Sequence, residues 1–566
     1  MACIRNLRIE NFRSIKSLDW NPNPQINCLI GQGDSGKSSI LDAIDFCIGN
    51  KRNIQFGDDD FYNMIIEDPI IIEVTLGDLD DNLKNLDSYG LYLRGFTDFF
   101  GLINDEPNDG DELVITIQLK VENSLEPVWS LVSDRATQHG VKRTLSWTDR
   151  AKVAATRIGH YAMNDLAWTK GSVLHRLSDE RVEASSFVGV ARDARKSFGN
   201  SADEKLAKTR EIVTKTAKGL GVKVGAEVHA LLDHDSISFG GVKVSLHNEK
   251  EIPLKNLGVG SSRLLVAGLQ KAAAIGSGIV IMDELEYGLE PHRIIRLLGS
   301  LGAKDKDSKM QVFLTTHSPV VLRELSGDQL NVVRVSTDEH VVKVAGTLDE
   351  IQGALRSNPD AFLSSTVIVC EGASEVGFVR GIDLHRVSQD LSSIAAHGVS
   401  LVDGKGVNKI LGTACAFQKL GYRVAILRDN DAQPDENKLK EFSRNGGKEF
   451  VWSTGNAIES EIFLNLSNDS VLALLDKAVE LHGEELINQH IKSASNNNLE
   501  LSSYKNQLTQ QHRANLGKAA KSKNNSWFKN ITDMEEVSRV IIATDANANA
   551  QFKSKIESIF KWAINE

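Results

Sequence analysis

The chain has 566 residues, 41% hydrophobic and 25% charged, the composition of a soluble globular protein with several domains. Its formal net charge of −11 excludes a uniformly basic nucleic-acid coat but leaves room for a local basic groove. Five scattered cysteines, Cys3, Cys28, Cys47, Cys370 and Cys415, form no CxxC pair, which disfavours a zinc ribbon or disulfide scaffold and fits a reducing cytosol. The first residues carry no apolar signal core, and the longest apolar run, 264–282, is broken by Gln270 and Lys271. A cytoplasmic protein that spans no membrane is expected.

In chain order, "IRNLRIENFRSI" alternates apolar and polar residues and predicts a strand with one buried face. "QINCLIG" predicts a second strand, which runs into "GQGDSGKSS" and then the helical "ILDAIDFCIG". Gly31-x4-Gly36-Lys37-Ser38 matches a phosphate-binding loop in both residues and context. Its glycines let backbone amides wrap phosphates at a helix N-terminus. The expected nucleotide contacts are Gly31, Gly33, Asp34, Ser35, Gly36, Lys37, Ser38 and Ser39. Lys37 is expected to reach the terminal phosphates of ATP, and Ser38 to ligate Mg2+.

A Lys/Arg/Ala/Glu-rich middle, about 185–220, predicts solvated helices inserted into the ATPase fold. Next, "KNLGVGSSRLLVAGLQKAA" opens a helix with Gly-x-Gly-Ser, and "GIVIMDELE" brings Asp283 and Glu284 to a strand end. Asp283 is expected in the Mg2+ shell, and Glu284 as the group that polarises the attacking water. "QVFLTTHSP" ends a further strand at His317, a candidate sensor of the terminal phosphate. This order resembles the head domains of the SMC/RecF group. There the Gly-Ser element is the ABC-type signature, so Ser261 would cap the nucleotide of a second protomer. A role for that element within one protomer is not expected. Leu285 and Glu290 depart from the Pro and His frequent at those places in relatives.

After about residue 350 a new α/β pattern starts. "STVIVCEGASEVGFVRGIDL" reads as strand, acidic turn and helix, and "VAILRDNDAQPDEN" as a strand closing on Asp429-Asn430-Asp431. Parallel strands place their C-terminal ends on one sheet edge, so Glu371, Asp429 and Asp431 converge there. Clustered carboxylates repel unless cations neutralise them, and oxygen-only donors select Mg2+ or Mn2+. Glu375, one turn beyond Glu371, and Glu459 and Glu461 in "TGNAIESEIFL" complete an expected set for two metals. This pattern resembles the Toprim fold.

An ABC-type ATPase followed by Toprim resembles the OLD (overcoming lysogenization defect) family over essentially the whole chain, and most the Gabija-type and retron-associated antiphage nucleases. The resemblance implies an ATP-regulated, divalent-metal-dependent endonuclease on double-stranded DNA, assembled as a dimer or tetramer. It implies a defence partner such as a UvrD-like helicase or a retron reverse transcriptase with its DNA. It also implies a C-terminal lysine that stabilises transition-state charge. Lys518, Lys521, Lys523 and Lys529 are available, and Lys523 is favoured. Lys405 in "LVDGKGVNKI" stands where a phosphate contact or a solvated loop lysine fits equally well.

The expected fold is α/β: ATPase segments 1–155 and 226–350 around a helical, dimerising insertion at 156–225, then Toprim and a helical extension at 351–566. The alternative function is a repair ATPase of the SMC/RecF type whose Toprim domain is a non-cleaving scaffold. A primase lacks its zinc segment here, and a topoisomerase lacks a separate domain for its nucleophilic tyrosine.

Overall fold

The computed structural model describes residues 2–49, 54–81, 83–97, 101–145, 150, 153–159, 166, 172–177, 206–232, 244–273, 278–305, 308, 310–336, 339–506, 508–522 and 525–565. They divide into two compact units, Met1–Gly346 and Thr347–Glu566. Among the described residues no helix is long and apolar enough to cross a membrane.

In the first unit the opening alternation is not one strand but two. Cys3–Phe12 turns at Arg13 and returns antiparallel as Ile15–Trp20. Asn11 and Arg13 take left-handed backbone angles at that turn, φ 55° and 51°. The apolar run Ile26–Ile30 is buried at every position, as a central parallel strand requires. It lies between Gln311–Thr315 and Leu330–Ser336, and Gln311–Thr315 in turn pairs with Ile279–Met282. All four strands are parallel, so the phosphate loop, Asp283 and His317 leave the same sheet edge. The helix Lys37–Ile48 buries Ile40, Leu41, Ile44 and Ile48 in the core beneath this sheet. An antiparallel wing, Ile70–Gly77 with Glu112–Val121, extends the sheet beyond Cys3–Phe12.

Residues 156–158, expected to open the helical insertion, are instead a strand. Thr156–Ile158 pairs in parallel with Ile279–Met282, as part of the ATPase sheet. Residues 178–205 of the expected insertion lie outside the described residues. Val173–Leu177 and Ala207–Leu220 are helical.

The second unit is a four-stranded parallel sheet in the order Val399–Asp403, Thr366–Cys370, Arg423–Arg428, Lys448–Val451. The glycine-bearing segment between the two acidic strands therefore supplies an edge strand of its own. The helix Ala373–Ser388 approaches the C-terminal helices closely. A Cβ at Gly377 would sit 2.5 Å from the Ile531 carbonyl oxygen, and one at Gly381 2.3 Å from that of Glu535. Trp452, Trp527, Phe378 and Phe463 fill the core that joins sheet and extension.

Candidate active sites

The strand Ile26–Ile30 delivers Gly31, which no other residue could replace without a shift. Its φ is 149°, and a Cβ would meet the Val333 carbonyl oxygen at 2.7 Å. Gly36 caps the helix Lys37–Ile48 in a left-handed conformation, φ 82°. Lys37 is buried, and its Nζ donates to the carbonyls of Gly31 (3.1 Å) and Gln32 and to Ser35 Oγ. Burial lowers its pKa. These oxygens hold the ammonium where phosphate oxygens can replace them.

Asp283 follows the fully buried strand Ile279–Met282. Its Oδ1 accepts from Ser38 Oγ at 3.3 Å and from Thr315 Oγ1 at 2.5 Å. The expected Mg2+-site pair, Ser38 and Asp283, thus meet across 245 residues of sequence. Glu284 is exposed and takes φ 46°, and its N–H donates to Thr315 Oγ1 at 2.8 Å. His317 is exposed as well, and its backbone N–H donates to Glu286 at 2.7 Å.

In the second unit, strand polarity brings Glu371 and Asp429 to one edge. Asp429 N–H donates to Glu371 Oε2 at 3.1 Å, and Asp429 Oδ1 accepts from Ile458 N–H at 2.9 Å. That N–H opens the helix Ile458–Asn465, whose Glu459 accepts from Ser374 Oγ at 3.4 Å. Glu375 is buried and accepts from Gly372 N–H at 2.9 Å. Burial raises the Asp429 carboxyl to about 7, helped by repulsion from Glu459, Glu371 and Asp431. Burial, then Asp429, Glu459 and Glu371, drive the Glu375 carboxyl well up. Glu371 is raised by burial, with Asp431 adding to the effect. Five carboxylates therefore share one field. Lys521 Nζ stands 2.5 Å from Asp431 Oδ2.

Among the described residues, no three of these groups are already arranged as a cage for a metal ion. Their oxygens face backbone N–H groups, the Ser374 hydroxyl and Lys521 instead. The donor chemistry nonetheless fits a hard divalent cation: all oxygen, all anionic, and repelling each other in a half-buried edge.

Known proteins resemble both units. The family described as "Overcoming lysogenization defect protein-like, TOPRIM domain" matches residues 362–431. "AAA domain, putative AbiEii toxin, Type IV TA system" matches 114–323, and "RecF/RecN/SMC N terminal domain" matches 3–81. The "Retron Vc95 probable ATPase" of Vibrio cholerae serotype O1 biovar El Tor is 21% identical over 390 residues, 58% of this chain and 73% of that protein. The chain thus pairs an ATPase domain with an OLD-like Toprim domain. "DNA replication and repair protein RecF" of Porphyromonas gingivalis is 27% identical over 118 residues, 20% of this chain and 24% of that one. An SMC head solved with the C-terminal winged-helix domain of ScpA is 14% identical, with a TM-score of 0.36, and covers 60% of this chain and 97% of that one.

In this ATPase–Toprim chain the expected residues do not all assemble as expected. Glu461 stands apart from the acidic edge. Its carboxylate accepts from Ser453 Oγ (2.7 Å) and Asn456 Nδ2 (2.8 Å) and lies 3.6 Å from Lys555 Nζ. Two positions along a helix are about 200° apart, so Glu459 and Glu461 cannot face one site. Lys523 lies outside the described residues, and Lys521 is the lysine placed on Asp431. The signature-like element does have a role within one protomer. A Cβ at Gly260 would meet the Gly288 carbonyl oxygen at 2.2 Å, so the helix packs directly on the loop after Glu284. Ser261 Oγ accepts from Arg293 at 2.9 Å.

Sequence reasoning missed three residues here. Buried Arg263 donates to the carbonyls of Asp283, Glu284 and Tyr287, fixing the loop that bears the candidate catalytic pair. Glu286 bonds Thr316 Oγ1 (2.6 Å) and His317 N–H, tying the two strand ends together. Arg157 pairs with Asp42 and Asp45 and lies 3.9 Å from Asp283. A lone arginine in the apolar "SSRLLVAGL" was the one available signal.

Proposed function

We propose that this protein is a nucleotide-regulated, divalent-metal-dependent DNA endonuclease of antiphage defence. The convergence of Glu371, Asp429, Glu375 and Glu459 on one edge, with Asp429 raised to about 7, carries the proposal. Glu371, Asp429 and Asp431 would hold Mg2+ or Mn2+, with Glu375 and Glu459 behind them. A divalent ion held there would supply an activated water and neutralise the leaving oxygen of a phosphodiester. Lys521 brings a fixed positive charge to the same edge, the role the family resemblance gives a C-terminal lysine. Lys529 adds to it, since its charge opposes the rise at Glu371.

Phosphodiester hydrolysis is downhill, so ATP is not needed to drive it. Nucleotide acts by binding two states of the protein with different affinity. Pairing of ATPase heads in a homo-oligomer, with Ser261 facing a second protomer's nucleotide, is part of the same proposal. The name of the Vibrio cholerae relative favours a retron, with its reverse transcriptase and DNA, as the partner system over a UvrD-like helicase.

The test is nicking of supercoiled plasmid in Mg2+ or Mn2+. Asp429→Ala is expected to lower the rate by orders of magnitude while ATP binding is kept, since the electrostatic clamp depends on each ligand. Unchanged nicking by a clean preparation of that variant sinks the assignment and leaves the scaffold reading.

A further inference from the structure

Beside the edge strand Val399–Asp403 of the Toprim sheet lies a cleft of about 350 Å3, within the range that binds small ligands. Neither the ATP site nor the carboxylates described above line it. One wall is the helix Asp349–Ser357, which contributes Asp349, Glu350 and Gly353. The other is the turn at Asp403 and Lys405 and the first turn of the helix Val407–Lys419, which carries Lys409.

Both lysines of this cleft stand on one wall, beside Asp403, whose Oδ1 accepts from Lys405 N–H at 2.8 Å. Lys405 and Lys409 are exposed, and among the described residues neither is in an ion pair. They flank a helix start at Gly406 that has no side-chain cap, which leaves the first-turn N–H groups of Val407 and Asn408 facing an anion, while Gly406 and Lys409 N–H are bonded to carbonyls. Asp349 and Glu350 oppose them with hydrogen-bond acceptors. A ligand that is anionic at one end and carries N–H or O–H donors at the other fits both walls. A nucleotide has that chemistry.

The lysine wall is tied to the carboxylate edge. Gly404 N–H donates to the Cys370 carbonyl and Gly406 N–H to the Glu371 carbonyl, each at 2.7 Å. Lys405, held between these glycines at φ 56°, therefore lies about one strand spacing, ~4.8 Å, from the chain that carries Glu371. A phosphate held by Lys405 would neighbour one held at Glu371.

We propose that this cleft takes the nucleotide next to the scissile phosphate, with its phosphate on Lys405 and Lys409 and its sugar and base toward Asp349 and Glu350. The inference rests on the nuclease reading above and names the strand register of its substrate. A free mononucleotide shares the chemistry, so the experiment separates the two sources.

Two full-length variants test it. A Cβ built at Gly353 meets nothing within 4 Å, and leucine favours a helix over glycine, so Gly353→Leu fills the cleft without straining the fold. Lys405→Ala/Lys409→Ala removes the anion contacts. Binding of a labelled oligonucleotide duplex is measured in EDTA across a salt series, and nicking kinetics in saturating Mg2+. The double variant is expected to reduce the slope of log K against log salt by about 1. Gly353→Leu is expected to raise the nicking KM roughly tenfold with kcat nearly kept and ATP hydrolysis unchanged. If the wild type cuts while both variants match its slope and KM, the cleft assignment is overturned and the nuclease reading stands. A wild type that never cuts ends the nuclease reading, while the salt slope still reports on the lysines. Suppose dAMP competes with wild-type binding in a way that Gly353→Leu abolishes, with the salt slopes equal. The cleft then takes a free nucleotide, and the strand assignment fails.

Discussion

At the phosphate loop, Asp283 is held by Ser38 and Thr315 and faces Arg157 at 3.9 Å. At the Toprim edge, Asp429 has one backbone N–H partner on its carboxylate and otherwise meets Glu459, Glu371 and Asp431. The first site is organised by fixed partners: Arg263, donating to the Asp283 loop, and Glu286, accepting from Thr316 and His317, bolt its loops in place before any phosphate arrives. The second has too few donors for its charge, and a proton or a cation must make up the difference. Fixed partners give a site its geometry in advance, whereas repelling acids give it an appetite for metal.

Breaking the organised site has the larger effect on its own chemistry. If Glu284 polarises the attacking water, as its place at the strand end suggests, Glu284→Gln is expected to bind ATP but lower its hydrolysis by orders of magnitude. Single-turnover hydrolysis checks this. Should nicking in the same variant no longer respond to ATP, the two sites are coupled through hydrolysis rather than occupancy.

Arg263→Met should cost about 1–2 kcal/mol of stability in chemical denaturation, by leaving three part-buried carbonyls without their donor. Its ATPase rate should fall more than its ATP affinity, since the lost bonds position Asp283 and Glu284 and not the phosphate loop.

The charged site responds to pH in a definite sense. The Asp429 carboxyl titrates at about 7 when folded against an ordinary 3.8, so between these values the folded state binds the extra proton. Stability without divalent ions is therefore lost as pH rises through about 7, the reverse of a salt-bridged aspartate. Melting curves in EDTA should show a lower Tm at pH 8 than at pH 6. Added Mg2+ should restore it, and Asp429→Asn should flatten the difference.

The smallest expected effect sharpens the boundary of the edge. Glu461→Gln should cost about 1 kcal/mol, from its bonds to Ser453 and Asn456, and leave nicking unchanged. Glu459→Gln should weaken Mg2+ dependence. Equal losses from both would return Glu461 to the metal set.

The sequence by itself determined what depends on local order. The phosphate loop is one contiguous motif, and Asp283, Glu371 and Asp429 each close a short apolar run. Parallel strand polarity alone then sends Asp283 to the phosphate-loop edge of the first sheet, and Glu371 and Asp429 together to one edge of the second. Tertiary structure decided whatever depends on contacts between distant segments. It alone put Lys521 on Asp431 from 90 residues away, Arg263 under the Asp283 loop, and Lys405 beside the Glu371 chain. It also separated Glu459 from Glu461, which sequence spacing had joined and helix rotation divides. A long charged side chain has no periodicity to betray its partner, because its reach exceeds the spacing of the backbone that carries it.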